Sequence, residues 1–351
     1  MSEIKLERED LTVLLNSLYD LGTEKVDVSH PSTQIGDLVC FDLGDAEEST
    51  VRFTKDCGDY GDVHDDVGLE TGDVAHKDLP SSRDYANIFM ASGILEAENH
   101  SEVMEFLEKE GRADLNEGHE PVFVGFDTNV IPWRPHRLFR LDPSEDYGNE
   151  RPLVNGFALA SGVRRELDWD AKHDGNSTRA LVDAFGDEFE EFVNQPKGSR
   201  RIGRLGITQY NELRNHNYGE EIRCETGDDP IIEVYDDYTS DRRRDAVLLS
   251  NDYNFVERAK SSFVPAKRVE FPDSLPRKAT ASWGEISDTL YLMAVVFGVV
   301  SLPKATVYGV WTGKEGHEWR DEKVKIECRS PKLQRDLERN MEILDAYRSD
   351  G

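Results

Sequence analysis

Two short apolar runs constrain the fold of this chain most, because an acid follows each of them closely. The first run, VFVGF at 122–126, is followed at once by Asp127, and the second, AVLL at 246–249, by a Ser-Asn-Asp sequence that ends at Asp252. Continuous apolar runs rich in β-branched and aromatic residues are typical of parallel strands that are covered on both faces. We therefore predict an α/β fold with a parallel sheet flanked by helices.

The acids after these two runs are expected at one edge of the predicted sheet. Ligands of open parallel sheets bind beyond the carboxyl ends of the strands, which is where Asp127 and Asp252 would lie. Carboxylates gathered there repel each other unless a cation neutralises them, and hard oxygen ligands suit Mg²⁺ or Mn²⁺. The alternatives are that Asp127 caps the next helix, or that the two are unrelated loop acids in an acid-rich chain.

The order of these segments resembles the PIN-domain ribonucleases over about residues 121–260. In that family a parallel sheet carries three or four acids that bind divalent metal and cleave RNA. The resemblance maps the first acid onto Asp127 and the last onto Asp252. The second acid, a Glu on a helix just before a Leu, maps onto Glu166 in SGVRREL, with Glu212 in TQYNEL as the weaker candidate.

The third acid of the family normally opens the helix that leads into the strand of the last acid. Asp236, Asp237 and Asp241 lie in that region of the chain. The resemblance thus implies Asp127, Glu166, Asp241 and Asp252 as the catalytic set, with Asp237 as a further metal ligand. It also implies an endoribonuclease, a hydrolase that uses Mg²⁺ or Mn²⁺ to attack the phosphodiester bond and leave a 5′-phosphate.

Arginines cluster around the proposed acids, as a polyanionic substrate would require. Guanidinium groups bind phosphate in bidentate fashion, so an RNA substrate is expected to contact them. The predicted substrate-binding residues are Asn129, Arg134, Arg137, Arg164, Arg165, Arg243, Ser250 and Asn251. The alternative is that these arginines pair with surplus acids in surface networks.

Two other function classes stay open at this point. A phosphatase of the haloacid dehalogenase type would need an Asp where this chain has Asn129. A non-catalytic PIN-like module that binds RNA or a protein would be recognised by the lack of a third acid. The cysteines form no CxxC pair, which argues against a zinc ribbon or a disulfide framework.

Acidic residues strongly outnumber basic residues in this chain. The whole chain has 71 acidic and 42 basic residues, a net charge of −29. An excess of acids with few lysines is expected of a protein adapted to molar salt, as in halophilic archaea, and its stability should rise with added salt. We predict an acidic mixed α/β domain of unknown role over 1–115, which could bind a protein partner, and a PIN-like domain over 116–351.

The remaining pattern predicts individual elements and a cytoplasmic location. The N-terminus lacks the apolar stretch of a signal peptide, and the longest apolar run, at 290–300, is too short to span a bilayer. The apolar stripe of the last helix is expected either in the core or in a homodimer contact. The expected elements are a helix over 4–20, strands over 36–42 and 50–54, a long loop over 56–84, a helix over 180–193, a core helix over 290–300, strands over 306–311 and 324–328, and a helix from 331.

Overall fold

The computed structural model describes residues 3–113, 115–145, 152–171, 178–240 and 244–350. The chain forms two compact units, and neither is a continuous segment. The first comprises Met1–Leu95, His173–Arg201 and Asp273–Gly351, and the second comprises Glu96–Lys172 and Ile202–Pro272. This division differs from the expected single boundary near residue 115, because the chain leaves the first unit and returns to it twice.

Strands and helices are numbered separately in chain order. The strands are β1 (Ile4–Leu6), β2 (Lys25–Ser29), β3 (Asp37–Asp45), β4 (Glu48–Phe53), β5 (Val122–Phe126), β6 (Gly156–Ala160), β7 (Gly219–Ile222), β8 (Asp245–Ser250), β9 (Ala266–Arg268), β10 (Lys278–Ala281), β11 (Val299–Leu302), β12 (Ala305–Tyr308) and β13 (Val324–Cys328). The helices are α1 (Leu11–Asp20), α2 (Cys57–Thr71), α3 (Asp73–His76), α4 (Ser82–Ala91), α5 (His100–Phe106), α6 (Pro135–Leu138), α7 (Ser161–Asp170), α8 (Arg179–Phe185), α9 (Ser199–Asn215), α10 (Asp228–Ser240), α11 (Tyr253–Ser261), α12 (Trp283–Phe297), α13 (Gly316–Arg320) and α14 (Pro331–Asp350).

The first unit is built on an eight-stranded sheet of order β1-β13-β12-β11-β2-β3-β4-β10, in which all neighbours are antiparallel. Helix α12 contains most of the longest apolar run and is buried from Ser287 onward apart from Asp288, as expected for a core helix. The helix ends at Phe297, and the run continues into β11. Ser282 caps α12 in a reciprocal capping box with Glu285. The expected late strand pair also forms, as β12 and β13, and it belongs to this unit.

Three expected elements of the first unit differ in the structure. Residues 4–6 form a strand instead of the start of a helix, because they pair with β13 at the edge of the sheet. The segment expected as a long loop forms α2 and α3. Asp56 and Asp59 make a capping box at the start of α2, and Tyr60 and Val67, two turns apart, are buried on one face of it. The helix expected over 180–193 breaks at Gly186, whose φ of 112° a helix cannot accommodate.

The last helix packs against the core of the first unit through part of its apolar stripe. Leu333 and Leu337 are fully buried, and α14 contacts α1. Further along, Met341 and Leu344 are half-buried, and Ile343 is exposed. The first half of the stripe is therefore core.

The second unit contains the predicted parallel sheet flanked by helices. Its five strands run in the order β7-β6-β5-β8-β9, and every neighbouring pair is parallel. The chain builds outward from β5 to β7 and then crosses to the other side of β5 to add β8 and β9. The strand order therefore reverses between β5 and β8, which is where an open parallel sheet binds ligands.

A tyrosine of α10 fixes that helix against the sheet. The Tyr235 hydroxyl donates to the Ala158 carbonyl oxygen at 2.6 Å and accepts from the Ala160 N–H at 3.3 Å. Its ring lies against β5 at Gly125, where an added Cβ would come within 2.4 Å of the hydroxyl oxygen. Glycine in the middle of a strand is normally unfavourable, so its presence here is explained by this close approach.

Within the described part of the chain, no helix is both long enough and apolar enough to cross a membrane.

Candidate functional site at the carboxyl edge of the parallel sheet

Three neighbouring strands of the parallel sheet end in polar residues that the sequence singled out. Asp127 directly follows β5, Asp252 follows β8, and Glu166 lies in the second turn of α7, which starts where β6 ends. Because parallel strands end at the same edge, these residues share the carboxyl edge of the sheet. The structure therefore brings Asp127, Glu166 and Asp252 to adjacent strand ends.

The Asp127 carboxyl group is buried and has only neutral hydrogen-bond partners. The Ser250 hydroxyl donates to one oxygen at 2.6 Å and the Thr128 N–H donates to the other at 2.7 Å. Its residue is 7% exposed, and no ion pair to it occurs among the described residues. Burial raises the pKa of Asp127 to about 6; the two hydrogen bonds oppose this shift, and the negative charges of Asp228 and Glu166 add to it.

The turns after β5 and β8 are joined by their own polar side chains. The Ser250 hydroxyl also accepts the Asp252 N–H at 2.9 Å, so it links the two aspartates. The Asn129 side-chain oxygen accepts the Asn251 N–H at 3.0 Å, and the Asn251 amide donates to the Val269 carbonyl at 2.7 Å. The predicted role of Ser250, Asn129 and Asn251 is substrate binding. In the structure their side chains form hydrogen bonds that connect the turns after β5 and β8.

Glu166 is the second acid that the fold brings to the site. One of its oxygens accepts the hydroxyl of Thr128, the residue after Asp127, and the other accepts the Gly227 N–H at 2.8 Å. The alternative second acid, Glu212, is exposed on α9 and pairs with Arg137 at 3.0 Å. The structure therefore favours Glu166 over Glu212 at this edge.

A glycine at the start of α7 allows the approach of the chain that holds Glu166. A Cβ on Gly162 would lie 2.3 Å from the Glu225 carbonyl oxygen, an impossible contact with backbone. The Ser161 hydroxyl and the Gly162 N–H both contact Cys224 in the same segment. The absence of a side chain at Gly162 therefore lets residues 224–227 pass close to α7 and deliver Gly227 to Glu166.

The acid that opens the helix before β8 is Asp228, which sequence analysis did not propose. α10 begins at Asp228, and the Asp228 charge acts on the Asp127 carboxyl group. The sequence signal was present in TGDDP at 226–230, where a glycine is followed by two acids and a proline, a pattern typical of a helix start. The expected helix start lay too far downstream.

Two of the three candidates proposed for that third acid, Asp236 and Asp237, do not lie at the site. Asp236 and Asp237 are in the last turns of α10, and Asp237 is about 14 Å along the helix axis from Asp228. Since α10 runs back from the carboxyl edge to the start of β8, these two residues lie toward the opposite edge of the sheet. Asp241 and Arg243 fall outside the described residues.

Asp252 has a local structural role in addition to its place at the edge. It is the N-cap of α11, and one of its oxygens accepts the N–H groups of Asn254, at 2.7 Å, and Phe255, at 3.3 Å. The residue is exposed. Helix capping, the alternative role considered for Asp127, is therefore the role of Asp252.

The four described arginines that were predicted to bind phosphate either pair with protein acids or are buried. Arg164 lies 3.7 Å from Glu221, and Arg165 lies 3.5 Å from Glu225. Arg137 pairs with Glu212, as described above. Arg134 has a left-handed backbone, with φ of 54°, and is fully buried, so its guanidinium cannot reach a substrate in this conformation. Pairing with surplus acids describes these residues better than a phosphate-binding ring.

The donor atoms at this edge suit a hard divalent cation. The four acids Asp127, Glu166, Asp228 and Asp252 offer only carboxylate oxygens, the ligand type of Mg²⁺ and Mn²⁺. Burial is the main cause of the raised pKa of Asp127, and the negative charges of Asp228 and Glu166 raise it further. These acids match such a metal in ligand type, whereas among the described residues no three of them bring their carboxylate oxygens within 4.8 Å of one another.

Comparison with protein-family models, with curated proteins and with solved structures gives no match to this chain.

Proposed function

We propose that this protein is a metal-dependent phosphodiesterase, with RNA as the substrate that its resemblance to the PIN-domain ribonucleases implies. One observation is the main support for this proposal. Asp127 is buried at the switch point of a parallel sheet, beside the charges of Glu166 and Asp228, and no cationic side chain among the described residues pairs with it. A buried carboxylate is normally paired, so this position favours a cation supplied from outside.

The chemistry assigned to the chain follows from which groups are fixed. Asp127, Glu166, Asp228 and Asp252 would hold Mg²⁺ or Mn²⁺, which when bound lowers the pKa of a water molecule and neutralises charge on the phosphate. Ser250 orients the Asp127 carboxyl group, and Thr128 and Gly227 orient that of Glu166. No side chain has to form a covalent intermediate.

One ion pair favours the second candidate, a PIN-like module without catalytic activity. Arg258 on α11 binds Asp228 and also reaches Asp229 at 2.7 Å. A guanidinium on Asp228 neutralises the acid that a third metal ligand would need to supply. In a binding module this ion pair would stay formed. In an enzyme Arg258 would release Asp228, which could then bind the metal.

The test of the proposed function compares two aspartates of the same sheet. Asp127 follows the carboxyl end of β5, and Asp245 is the exposed first residue of β8, at the opposite edge. Chelator-treated protein is given Mn²⁺ and an end-labelled single-stranded RNA. We expect Asp127→Asn to lower the cleavage rate about a hundredfold or more, as loss of a metal ligand should, and Asp245→Asn to leave it unchanged.

Two results would contradict this assignment. Equal cleavage by wild type and Asp127→Asn would place the activity elsewhere in the preparation. Absence of cleavage by the wild type with either metal on structured and unstructured RNA would favour the binding module. Retention of RNA by the wild type in a filter-binding assay would then identify the module's ligand.

A further inference from the structure

The first unit contains a cluster of metal-ligand residues that is independent of the sheet edge. It consists of His64 and Asp65 on α2 and His76 at the end of α3, and their ligand atoms all lie within 4.8 Å of one another. It is the one such group of three His, Cys, Asp or Glu side chains found among the described residues. The sequence offers no HxxxH spacing here, because the second imidazole comes from a different helix.

The two imidazole rings lie close together in a tilted arrangement. Their centroids are 4.1 Å apart with an interplanar angle of 51°, and His64 Nδ1 lies 3.7 Å from an Asp65 oxygen. The Asp65 carboxylate therefore lies beside a ring nitrogen of His64, next to the second imidazole. The His64 side chain is 16% exposed and that of Asp65 is 82% exposed, so the cluster opens to solvent.

A glycine makes the approach of His76 possible. Gly68 lies one turn after His64 in the interior of α2, where glycine costs about 1 kcal/mol relative to alanine. A Cβ at this position would be 3.0 Å from His76 Cδ2 and 3.2 Å from Cγ. The unfavourable residue is thus placed where it leaves room for the second imidazole beside the first.

We propose that His64, Asp65 and His76 bind a divalent first-row transition metal of the Zn²⁺ type. Two imidazoles and one carboxylate form a donor set that Zn²⁺, Co²⁺ and Ni²⁺ prefer over Mg²⁺. Two atoms bonded to one Zn²⁺ at about 2.1 Å are separated by no more than about 4.2 Å, so small side-chain rotations suffice. Three protein ligands leave a fourth position open to water or a ligand.

Binding would also fasten a short element of the fold. α3 has only four residues and is joined to α2 through Gly72, with φ of 86°. A metal held by both helices would fix α3 in place, whereas the helices otherwise meet through packing alone at this point. The site is separate from the carboxylate edge in both residues and donor type, so it does not depend on the proposed phosphodiesterase.

The experiment is a calorimetric titration of Zn²⁺ into chelator-treated, full-length protein in excess Mg²⁺. The Mg²⁺ occupies sites made only of carboxylates, so the heat reports the imidazole site. We expect one equivalent to bind to the wild type. His64→Ala and His76→Ala should each weaken binding at least about tenfold, because each removes a ligand. Co²⁺ should show a visible ligand-field spectrum with the wild type that both variants lose.

Two further variants separate coordination from a general effect of surface histidine. His317 lies 3.7 Å from Glu315 and forms an imidazole–carboxylate pair without a second imidazole, so His317→Ala should bind as the wild type does. Gly68→Ala keeps every ligand but displaces the His76 ring, and it should weaken binding while the helix stays folded by circular dichroism. No stoichiometric binding to the wild type would overturn the proposal, as would unchanged affinity in both ligand variants.

Discussion

Two buried aspartates, one in each unit, are stabilised in opposite ways. In the first unit, Asp78 is buried against Arg201, whose guanidinium donates to it at 2.9 Å, and it also accepts the Gly198 N–H at 3.2 Å. In the second unit, Asp127 has a hydroxyl and an N–H as partners, and its pKa is raised to about 6. Asp78 is paired with a cationic side chain, whereas Asp127 has no such partner in the part of the chain that the structure describes.

This difference separates structural acids from functional ones in a chain where acids are abundant. A buried ion pair that is complete within the protein needs nothing more, and breaking it leaves an uncompensated charge. A buried acid that lacks a cation destabilises the fold when it is ionised. Such acids are found most often at functional sites. The location of Asp127 at the strand-order reversal supports the proposal that it serves ligand binding.

The largest effect is expected at the structural acid. Arg201 is fully buried and also donates to the carbonyl oxygens of Asp78 and Val296. Arg201→Met would strand the Asp78 charge, and we expect a loss of about 3–5 kcal/mol of stability in urea denaturation. The control is Arg179→Met, because Arg179 forms an exposed i,i+4 pair 3.9 Å from Asp183 and should shift stability by less than about 1 kcal/mol. If both substitutions lowered the stability equally, Asp78 would not depend on Arg201 for compensation of its charge.

The functional acid should respond with the opposite sign. Since folding raises the Asp127 pKa from 3.8 to about 6, the folded protein holds a proton that the unfolded chain releases between these values. Its contribution to stability is therefore present below pH 4 and lost as pH rises through 6, a change of about 3 kcal/mol.

Asp127→Asn should thus stabilise the metal-free protein at pH 8 and give no such gain at pH 4. Melting curves of wild type, Asp127→Asn and Asp245→Asn across this range measure the difference directly. Destabilisation by Asp127→Asn at pH 8 without metal would mean that the carboxylate is compensated within the protein, as Asp78 is.

The smallest effect is expected at Asp228, which forms a partly exposed ion pair with Arg258. Arg258 and Asp228 are both about half-exposed, so their pair contributes at most about 1 kcal/mol. If Arg258 competes with the metal for Asp228, Arg258→Gln should raise Mn²⁺ affinity by up to about fivefold. Lys260→Gln, on the same helix and paired only with Glu257 of that helix, is the control. Unchanged Mn²⁺ affinity in Arg258→Gln would exclude Asp228 as a ligand.

The parallel sheet could be predicted from sequence because burial on both faces leaves a continuous apolar run. Val122 to Phe126 and Ala246 to Leu249 read as strands without any knowledge of their neighbours. A polar residue that comes after such a run lies at the edge of the sheet, so the positions of Asp127 and Asp252 could be predicted. Glu166 was found through the resemblance.

Other features depend on contacts that sequence spacing does not reveal. α2 is rich in glycine and aspartate, and only its capping box and two buried side chains distinguish it from a loop. β1 becomes a strand through pairing with β13, which lies more than 300 residues away. Asp228 was missed because the start of α10 was placed too far downstream, and the partners of the arginines follow from the folded chain alone.

Metal binding at Asp127 tests the central claim most directly. Mn²⁺ is titrated into metal-free wild type, Asp127→Asn and Asp245→Asn at pH 8 and at pH 5, and free Mn²⁺ is followed by electron paramagnetic resonance. The account predicts tight binding to wild type and Asp245→Asn at pH 8, weaker binding at pH 5, where Asp127 is protonated, and at least about tenfold weaker binding to Asp127→Asn. Equal Mn²⁺ binding by all three proteins at pH 8 would contradict it.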